Sequence, residues 1–285
     1  MRLSCRPITP DAALEHGHDD RARHAREGVV RPSANTLHRG EGRRHDGGIT
    51  RGRGRVSNRP RETEQIMTNI AIIGGHGKVA LRLAPLLVEA GDEVTSWIRS
   101  QDQVEDIEQT GATAKVLDVQ QLSTEQLSDE FEGVDVVIWS AGAGGGDPER
   151  TWAVDRDAAI RTMDAAEKAG VGRYVMVSYL GAGPDHGVDE SDDFFAYAEG
   201  KTQADEHLKK SSLRWTILGP GMLTLDDASG KITVLPEGQQ PDNADTSRAN
   251  VAAVAHAVLS DDTTIGRKIN FVDGDTPIAE AISAS

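Results

Sequence analysis

Residues Asn69–Ala84 read NIAIIGGHGKVALRLA. An apolar run of strand length breaks at Gly74 and Gly75, and the helical pattern KVALRLAPLLVEAG follows, ended by Gly91. That order is the signature of a strand, a tight turn and an amphipathic helix. Gly74, Gly77 and Ala80 stand three apart, giving G-x-x-G-x-x-A rather than the dinucleotide fingerprint G-x-G-x-x-G. Glycines at such a junction let the backbone approach a diphosphate. The start of the helix adds unpaired N–H groups and a partial positive charge. Ala80 is small enough for the helix to pack closely on the strand. The phosphate turn is therefore expected to comprise Gly74, Gly75, His76, Gly77, Lys78 and Val79. Within it, Lys78 is equally readable as a solvated lysine and His76 as a tolerated loop residue.

The alternation continues along the chain. EVTSWIR (93–99), TAKVLD (113–118), VDVVIWSAG (134–142), RYVMVS (173–178) and RWTILGPG (214–221) read as strands. Between them lie helical patterns, including LSTEQLSDEF, with Ser123 or Thr124 as cap, and DRDAAIRTMDAAEKAG, stopped by Gly170. VDVVIW is nearly all apolar, as a strand covered on both faces should be. The later part is less regular. ASGKITVLPEGQQPDNADTS reads as a loop with a short strand, SRANVAAVAHAVLS as a capped helix, and RKINFVDGDTP as a last strand and turn. The order predicts an α/β fold: a Rossmann-type doubly wound parallel sheet in a single domain, residues 67–285, with a small substrate lobe from C-terminal insertions. Ligands of such sheets bind beyond the carboxyl ends of the strands.

The residues after each strand then acquire meaning. NAD sites place an acid after the second strand to bond the ribose hydroxyls, whereas an arginine accommodates the 2′-phosphate of NADP. Here the position carries Arg99, with no acid until Asp102. NADP(H) is expected in preference to NAD(H). Asp118 and Val119 fall where an adenine would lie, and the small Ser140, Ala141 and Gly142 suit backbone passing under a nicotinamide ribose. Each of these places is also readable as ordinary turn chemistry, since Gly, Ser and Asp favour turns.

After the fifth strand come Ser178 and then FFAYAEGKTQADEHL, with Tyr197 and Lys201 four apart on one helix face. An ammonium beside a phenol favours the phenolate and lowers its pKa from about 10. Ser178 is then a candidate to hold the substrate oxygen, Tyr197 to exchange its proton, and Lys201 to assist it and bind the nicotinamide ribose.

On GGHGKVA, DAAEKAGVGRYVMVSYLGA, YAEGKTQADEHLKKSSLRWTILGPG and GDTP, the chain over residues 67–285 resembles the short-chain dehydrogenase/reductase superfamily. It is most similar to the atypical NAD(P)H-binding, epimerase/dehydratase-like branch. The resemblance implies that the glycine turn binds the dinucleotide and that Ser178, Tyr197 and Lys201 carry the chemistry. Two departures stand out: Ala80 replaces the third glycine, and Asp155 occupies a place where relatives often have Asn. The implied activity is hydride transfer between NADP(H) and a small carbonyl or hydroxyl substrate. The alternatives are a non-catalytic NADP(H)-binding redox sensor and a sugar epimerase or dehydratase.

Charge divides the 285 residues near Met67. Residues 1–66 hold fourteen Arg and no Lys against nine acids, a formal +5, while the remainder carries −20. The front segment has too few apolar residues to offset its chain entropy and is expected to be disordered. Of two readings of it, a basic tail or a natural start at Met67, the second is preferred. The acidic domain should repel nucleic acid and anionic lipid, and no apolar run reaches membrane-span length, so a soluble cytoplasmic protein is expected. Cys5 is the only cysteine, which leaves the domain no disulfide and no thiol nucleophile. H-E-x-x-H, P-loop and G-x-S-x-G motifs are missing. HGHDD (16–20) has metal-like content but lies in the tail, so no metal is expected. Of two readings of the acid run HGVDESDDFF (186–195), the lining of a substrate mouth or a solvated loop, the second is preferred. Oligomeric state is not legible.

Overall fold

The computed structural model describes residues 67–144 and 147–284. The basic segment 1–66, with Cys5 and HGHDD, lies outside the described residues.

The opening stretch folds as its pattern dictates. Strand β1 (Asn69–Ile73) leads through the glycine turn into α1 (Ala80–Glu89). Then come β2 (Glu93–Ile98), α2 (Val104–Glu108), β3 (Thr113–Val116), α3 (Thr124–Glu130) and β4 (Val136–Trp139). Ser123 caps α3: its hydroxyl accepts from the Gln126 amide while the Gln126 side chain returns to the Ser123 amide, a capping box. A helical stretch follows as α4 (Pro148–Thr151), a π-wound segment over Trp152–Ala158, and α5 (Ala159–Ala169). Gly170 ends it in the left-handed conformation at φ 74°.

The chain continues with β5 (Arg173–Val177), α6 (Phe195–Lys210), β6 (Trp215–Pro220), β7 (Met222–Thr224), β8 (Lys231–Leu235) and β9 (Asp245–Ser247). It closes with α7 (Arg248–Ala257), β10 (Arg267–Asp273), β11 (Thr276–Pro277) and α8 (Ile278–Ser283). Ser247 caps α7, accepting from the Asn250 amide at 3.0 Å.

One nine-stranded sheet has the order β11-β8-β10-β6-β5-β4-β1-β2-β3. From β3 to β10 every neighbouring pair is parallel, while β8 runs antiparallel to both β10 and β11. The strand order reverses between β1 and β4, and the crevice at that reversal is where this architecture takes its ligands. The expected doubly wound sheet is thus present, extended by an antiparallel edge. β7 and β9 pair as a small separate ribbon beyond β6.

The period of two along the central strands fills both faces of the sheet. Ile70 and Ile72 join one buried cluster with Leu83, Leu87, Val251 and Ile282. Ala71 and Ile73 join the other with Phe131, Met163, Tyr174 and Leu208. Val136 and Ile138 against Val137 and Trp139 split in the same way, which is why the strand VVIW carries no polar residue. Among the described residues no helix is long and apolar enough to cross a membrane.

Candidate functional site

The glycine turn is tied down from three strands. The amides of Gly74 and Gly75 both donate to the Trp97 carbonyl at the end of β2, at 3.1 and 2.9 Å, and the Ser140 amide donates to the Ile73 carbonyl at 2.9 Å. Gly74 has φ 81°, and a Cβ there would lie 2.6 Å from Ala141 Cα. A Cβ on Gly75 would lie 2.5 Å from that of Ser96. These two glycines are therefore required first by the turn's seat on β2 and β4. The Gly77 amide closes the turn onto the Gly74 carbonyl at 2.9 Å, and the Leu81 amide is the next to fold back, onto the Gly77 carbonyl. The amides of Lys78, Val79 and Ala80 have no backbone partner among the described residues, and they form the open N-terminus of α1.

Gly74→Ala is expected to cost about 2–4 kcal/mol, from a left-handed backbone and from overlap with Ala141. Gly133, at φ 77° with nothing within 4 Å of an added Cβ, is the control. Gly133→Ala should cost only about 1 kcal/mol. Urea unfolding of both variants checks this, and equal losses would dismiss the overlap.

A cavity of about 250 Å³ opens beside the turn, lined by Gly74, His76, Gly77, Arg99, Val119, Ser140, Ala141 and Gly142 among the expected residues. Trp97, Gln103, Gln120 and Arg150 complete much of its wall. Of the other expected residues, Gly75, Lys78, Val79 and Asp118 are not part of this lining. Val79 is buried under the turn, and Asp118 accepts from the Gln120 amide at 3.0 Å, closing its own loop. His76 lies 2.7 Å from the Asp106 carboxylate of α2. The lining contains two arginines and no acid, in a domain with a strong acidic excess.

Beyond Gly142 lies a buried ionic cluster. Asp155, on the π-wound segment, is wholly buried, and its Oδ2 accepts from the Ala143 amide at 2.9 Å. Its Oδ1 pairs with Lys201 Nζ at 3.2 Å and would stand 3.2 Å from a Cβ on Gly142. Lys201 Nζ also donates to the Val177 carbonyl at 3.2 Å. Burial works to lower the lysine's pKa, but Asp155, Tyr197 and Asp205 outweigh it and hold the ammonium above its ordinary range.

Tyr197 stands one turn earlier on α6, its ring centroid 5.9 Å from Lys201 Nζ. The expected lowering of its phenol does not survive: burial pushes the Tyr197 pKa up, and Asp155 and Asp205 raise it further against the opposing lysine. Ser178 is also buried, and its hydroxyl donates to Asp205 Oδ2 at 2.8 Å. Lys268 Nζ reaches the same oxygen at 3.0 Å and donates to the Ala182 carbonyl at 2.5 Å. Lys201 and Tyr197 thus adjoin one another, while Ser178 belongs to a second buried group with Asp205 and Lys268. None of the three lines the cavity; Asp155 and Gly142 form the link between the two.

The sequence offered no sign of the cavity roles of Arg150, Gln103 and Gln120, which sit in polar stretches that read as solvated. Asp155 stood out only as a departure from the family pattern. Asp205 follows Lys201 by one helical turn, so an i, i+4 search from the lysine could have found it.

Comparison with known proteins supports the nucleotide-binding fold. The family described as NAD(P)H-binding matches residues 74–262, from the glycine turn to just past α7. The uncharacterized sugar epimerase YhfK of Bacillus subtilis is 31% identical over 215 residues, covering 75% of this chain and 98% of its own. The structure of a Bacillus halodurans protein assigned to the NAD-dependent epimerase/dehydratases is 31% identical. It superposes with a TM-score of 0.70 over 76% of this chain and 100% of that one. The oxidoreductase ylbE of Lactococcus lactis gives 28% identity and a TM-score of 0.67 over 76% and 96%. With the strand order, the open helix terminus and the matched span in agreement, the chain belongs to the NAD(P)H-binding family, an atypical branch of the short-chain dehydrogenase/reductase-like proteins.

Proposed function

We propose that the protein is an NADPH-dependent oxidoreductase that reduces a small carbonyl substrate to the alcohol. The observation that carries the cofactor reading is the composition of the cavity wall. Arg99 and Arg150 line it without an acid, while the rest of the domain is strongly negative. Such a wall favours a polyanion and disfavours the acid-to-ribose contact of NAD sites. The free amides at the start of α1 fit a diphosphate, and the residues of the cleft fit the adenosine half beside it. Arg99 would hold the 2′-phosphate; the amides of Lys78, Val79 and Ala80 would hold the diphosphate, with Gly77 leaving its approach uncovered. Ser140, Ala141 and Gly142 would pass under the ribose. The reduced nicotinamide, when bound, supplies a hydride, two electrons with one proton, to the carbonyl carbon.

The chain's own residues supply the rest. Tyr197, kept neutral by burial and by Asp155 and Asp205, gives its proton to the substrate oxygen. A phenol held protonated suits reduction, in which it donates, better than oxidation, in which it must accept. Lys201 has three N–H bonds; Val177 and Asp155 engage two, which leaves one for a ribose hydroxyl. Ser178 has committed its proton to Asp205, so it can accept from a substrate hydroxyl but cannot donate to a carbonyl.

Titration with NADPH and NADH tests this reading. Arg99→Ser should weaken NADPH by about tenfold to a hundredfold, the worth of a charge-assisted phosphate contact, and change NADH less than about twofold. Equal affinity of the native protein for the two nucleotides removes Arg99 as the phosphate partner. A second reading, a sensor that binds NADP(H) without turnover, is favoured by the raised Tyr197 phenol, since a sensor needs no tuned acid. A sugar epimerase or dehydratase draws support from the names of YhfK and the Bacillus halodurans protein. Consumption of NADPH with a simple carbonyl separates net reduction from both.

A further inference from the structure

Residues 178–180 continue the β5–β6 ladder past the end of β5. The Ser178 amide donates to Leu218 and the Leu180 amide to Pro220, at 2.8 and 2.7 Å. In extended chain successive side chains leave on opposite sides. Ser178 turns to Asp205, and Tyr179 turns to the aromatic residues at the start of α6. Its ring centroid lies 5.4 Å from that of Tyr197 and 5.6 Å from that of Phe194, and the latter two are 5.2 Å apart. The three rings close a triangle at the C-terminal end of the sheet. Phe194 keeps 45% of its surface exposed, although its neighbours are apolar rings. Tyr179 Oη is shielded from solvent and has no hydrogen-bond partner. A buried hydroxyl without a partner costs about 1–3 kcal/mol unless something else satisfies it.

We propose that Tyr179 is the hydrogen-bond donor to the substrate oxygen that Ser178 cannot be, and that Tyr179, Phe194 and Tyr197 together seat a planar, uncharged carbonyl ring system. The proposal rests on the reading of the site as a carbonyl reductase and names its substrate class. A carbonyl ring seated against the exposed face of Phe194 would bring its oxygen to the hydroxyl ends of Tyr179 and Tyr197, whose rings lie 5.4 Å apart, and would satisfy the Tyr179 hydroxyl that the fold leaves without a partner. Burial pushes the Tyr179 phenol up, with Tyr197 and Asp205 adding to the effect, so it remains a neutral donor. The loop between the two aromatic contributors carries Asp185, Asp189, Glu190, Asp192 and Asp193, all exposed, and this field opposes anionic substrates.

The test is calorimetric titration of the full chain, saturated with NADP⁺ so that no turnover occurs, with menadione as the planar uncharged probe and naphthoquinone sulfonate as its anionic counterpart. The native protein should bind menadione, and the sulfonate at least about fivefold more weakly at low salt. Tyr179→Phe keeps the ring and removes only the oxygen. It should raise the menadione Kd about tenfold and move the NADP⁺ Kd less than about twofold. Phe194→Ala should weaken menadione to a similar extent through lost stacking.

Unchanged menadione binding in Tyr179→Phe, with NADP⁺ binding intact, overturns the donor role. A native protein that binds NADP⁺ but not menadione overturns the ring seat and leaves the dinucleotide reading standing. Equal binding of the sulfonate overturns the restriction to uncharged substrates. Failure of the native protein to bind NADP⁺ removes the reductase reading and this proposal with it.

Discussion

Lys201→Met is expected to destabilise the fold by about 3–5 kcal/mol and to abolish measurable NADPH binding. The substitution is close to isosteric, so packing changes little. What is lost is the cation facing Asp155, whose carboxylate is wholly buried and has only the Ala143 amide as its other partner. An uncompensated buried carboxylate is among the costliest single defects a fold can carry. For a domain of this size the loss corresponds to a fall in Tm of about 10 °C.

The pH dependence follows from the direction of the lysine shift. The folded-state pKa of Lys201 is raised above its ordinary value of 10.5, so the pair's stabilisation is fully present below that value. It disappears only as pH rises through the higher folded value. The native protein and the variant should therefore differ by the full amount throughout the neutral range and converge only in strong alkali. Asp155→Asn in the Lys201→Met background removes the stranded charge and keeps an acceptor for the Ala143 amide, and it should recover most of the stability without recovering NADPH binding. Urea unfolding of the single and double variants at neutral pH checks both parts. If the double variant is no more stable than the single one, the pair is not what holds this corner together.

The recovery expected in the double variant shows why some features were legible in sequence and others were not. The alternation of strands and helices is local. IAII, VDVVIW and RYVMV declare strands buried on two faces, Gly170 declares a helix end, and Ser123 and Ser247 declare helix starts. The glycine turn could be placed at the first β–α junction for the same reason. β9 and β11, of three and two residues, are too short to carry any period.

The site depends on long-range facts. Tyr197 and Lys201 sit four apart in the sequence, and that spacing alone predicts a lowered phenol. The opposite direction follows from burial together with two carboxylates. Asp155 arrives from another helix through a π-wound segment, and Asp205 comes from the next turn of α6. Helical periodicity cannot announce a π turn, so the burial of Asp155 was invisible. Ser178 stands directly after β5, as expected, but its hydroxyl faces Asp205 and Lys268, the latter from β10 near the end of the chain. Composition separates a basic front segment from an acidic remainder. It did not show that two arginines gather at one cavity inside the acidic part.

Tyr197→Phe is expected to lower kcat for carbonyl reduction by about 10²–10⁴-fold, the usual worth of a positioned proton donor, and to leave NADPH binding unchanged. The structure makes the substitution a clean one. Tyr197 Oη has no hydrogen-bond partner among the described residues, so its removal strands no other group, and the ring keeps its contacts with Tyr179 and Phe194. Stability should move by less than about 0.5 kcal/mol.

The pH profile provides the sharper criterion. A raised phenol is protonated through the neutral range, so reduction by the native protein should be flat there and decline only as pH rises past the ordinary tyrosine value of 10.0. In Tyr197→Phe that alkaline decline should vanish, since the group that titrates is gone, and the residual rate should be independent of pH over the same interval. Stopped-flow measurement of NADPH oxidation under single-turnover conditions separates the chemical step from product release. A native-like rate in the variant, or an alkaline decline that persists in it, would assign the proton to another group, and Tyr179 is the one placed within the same triangle of rings.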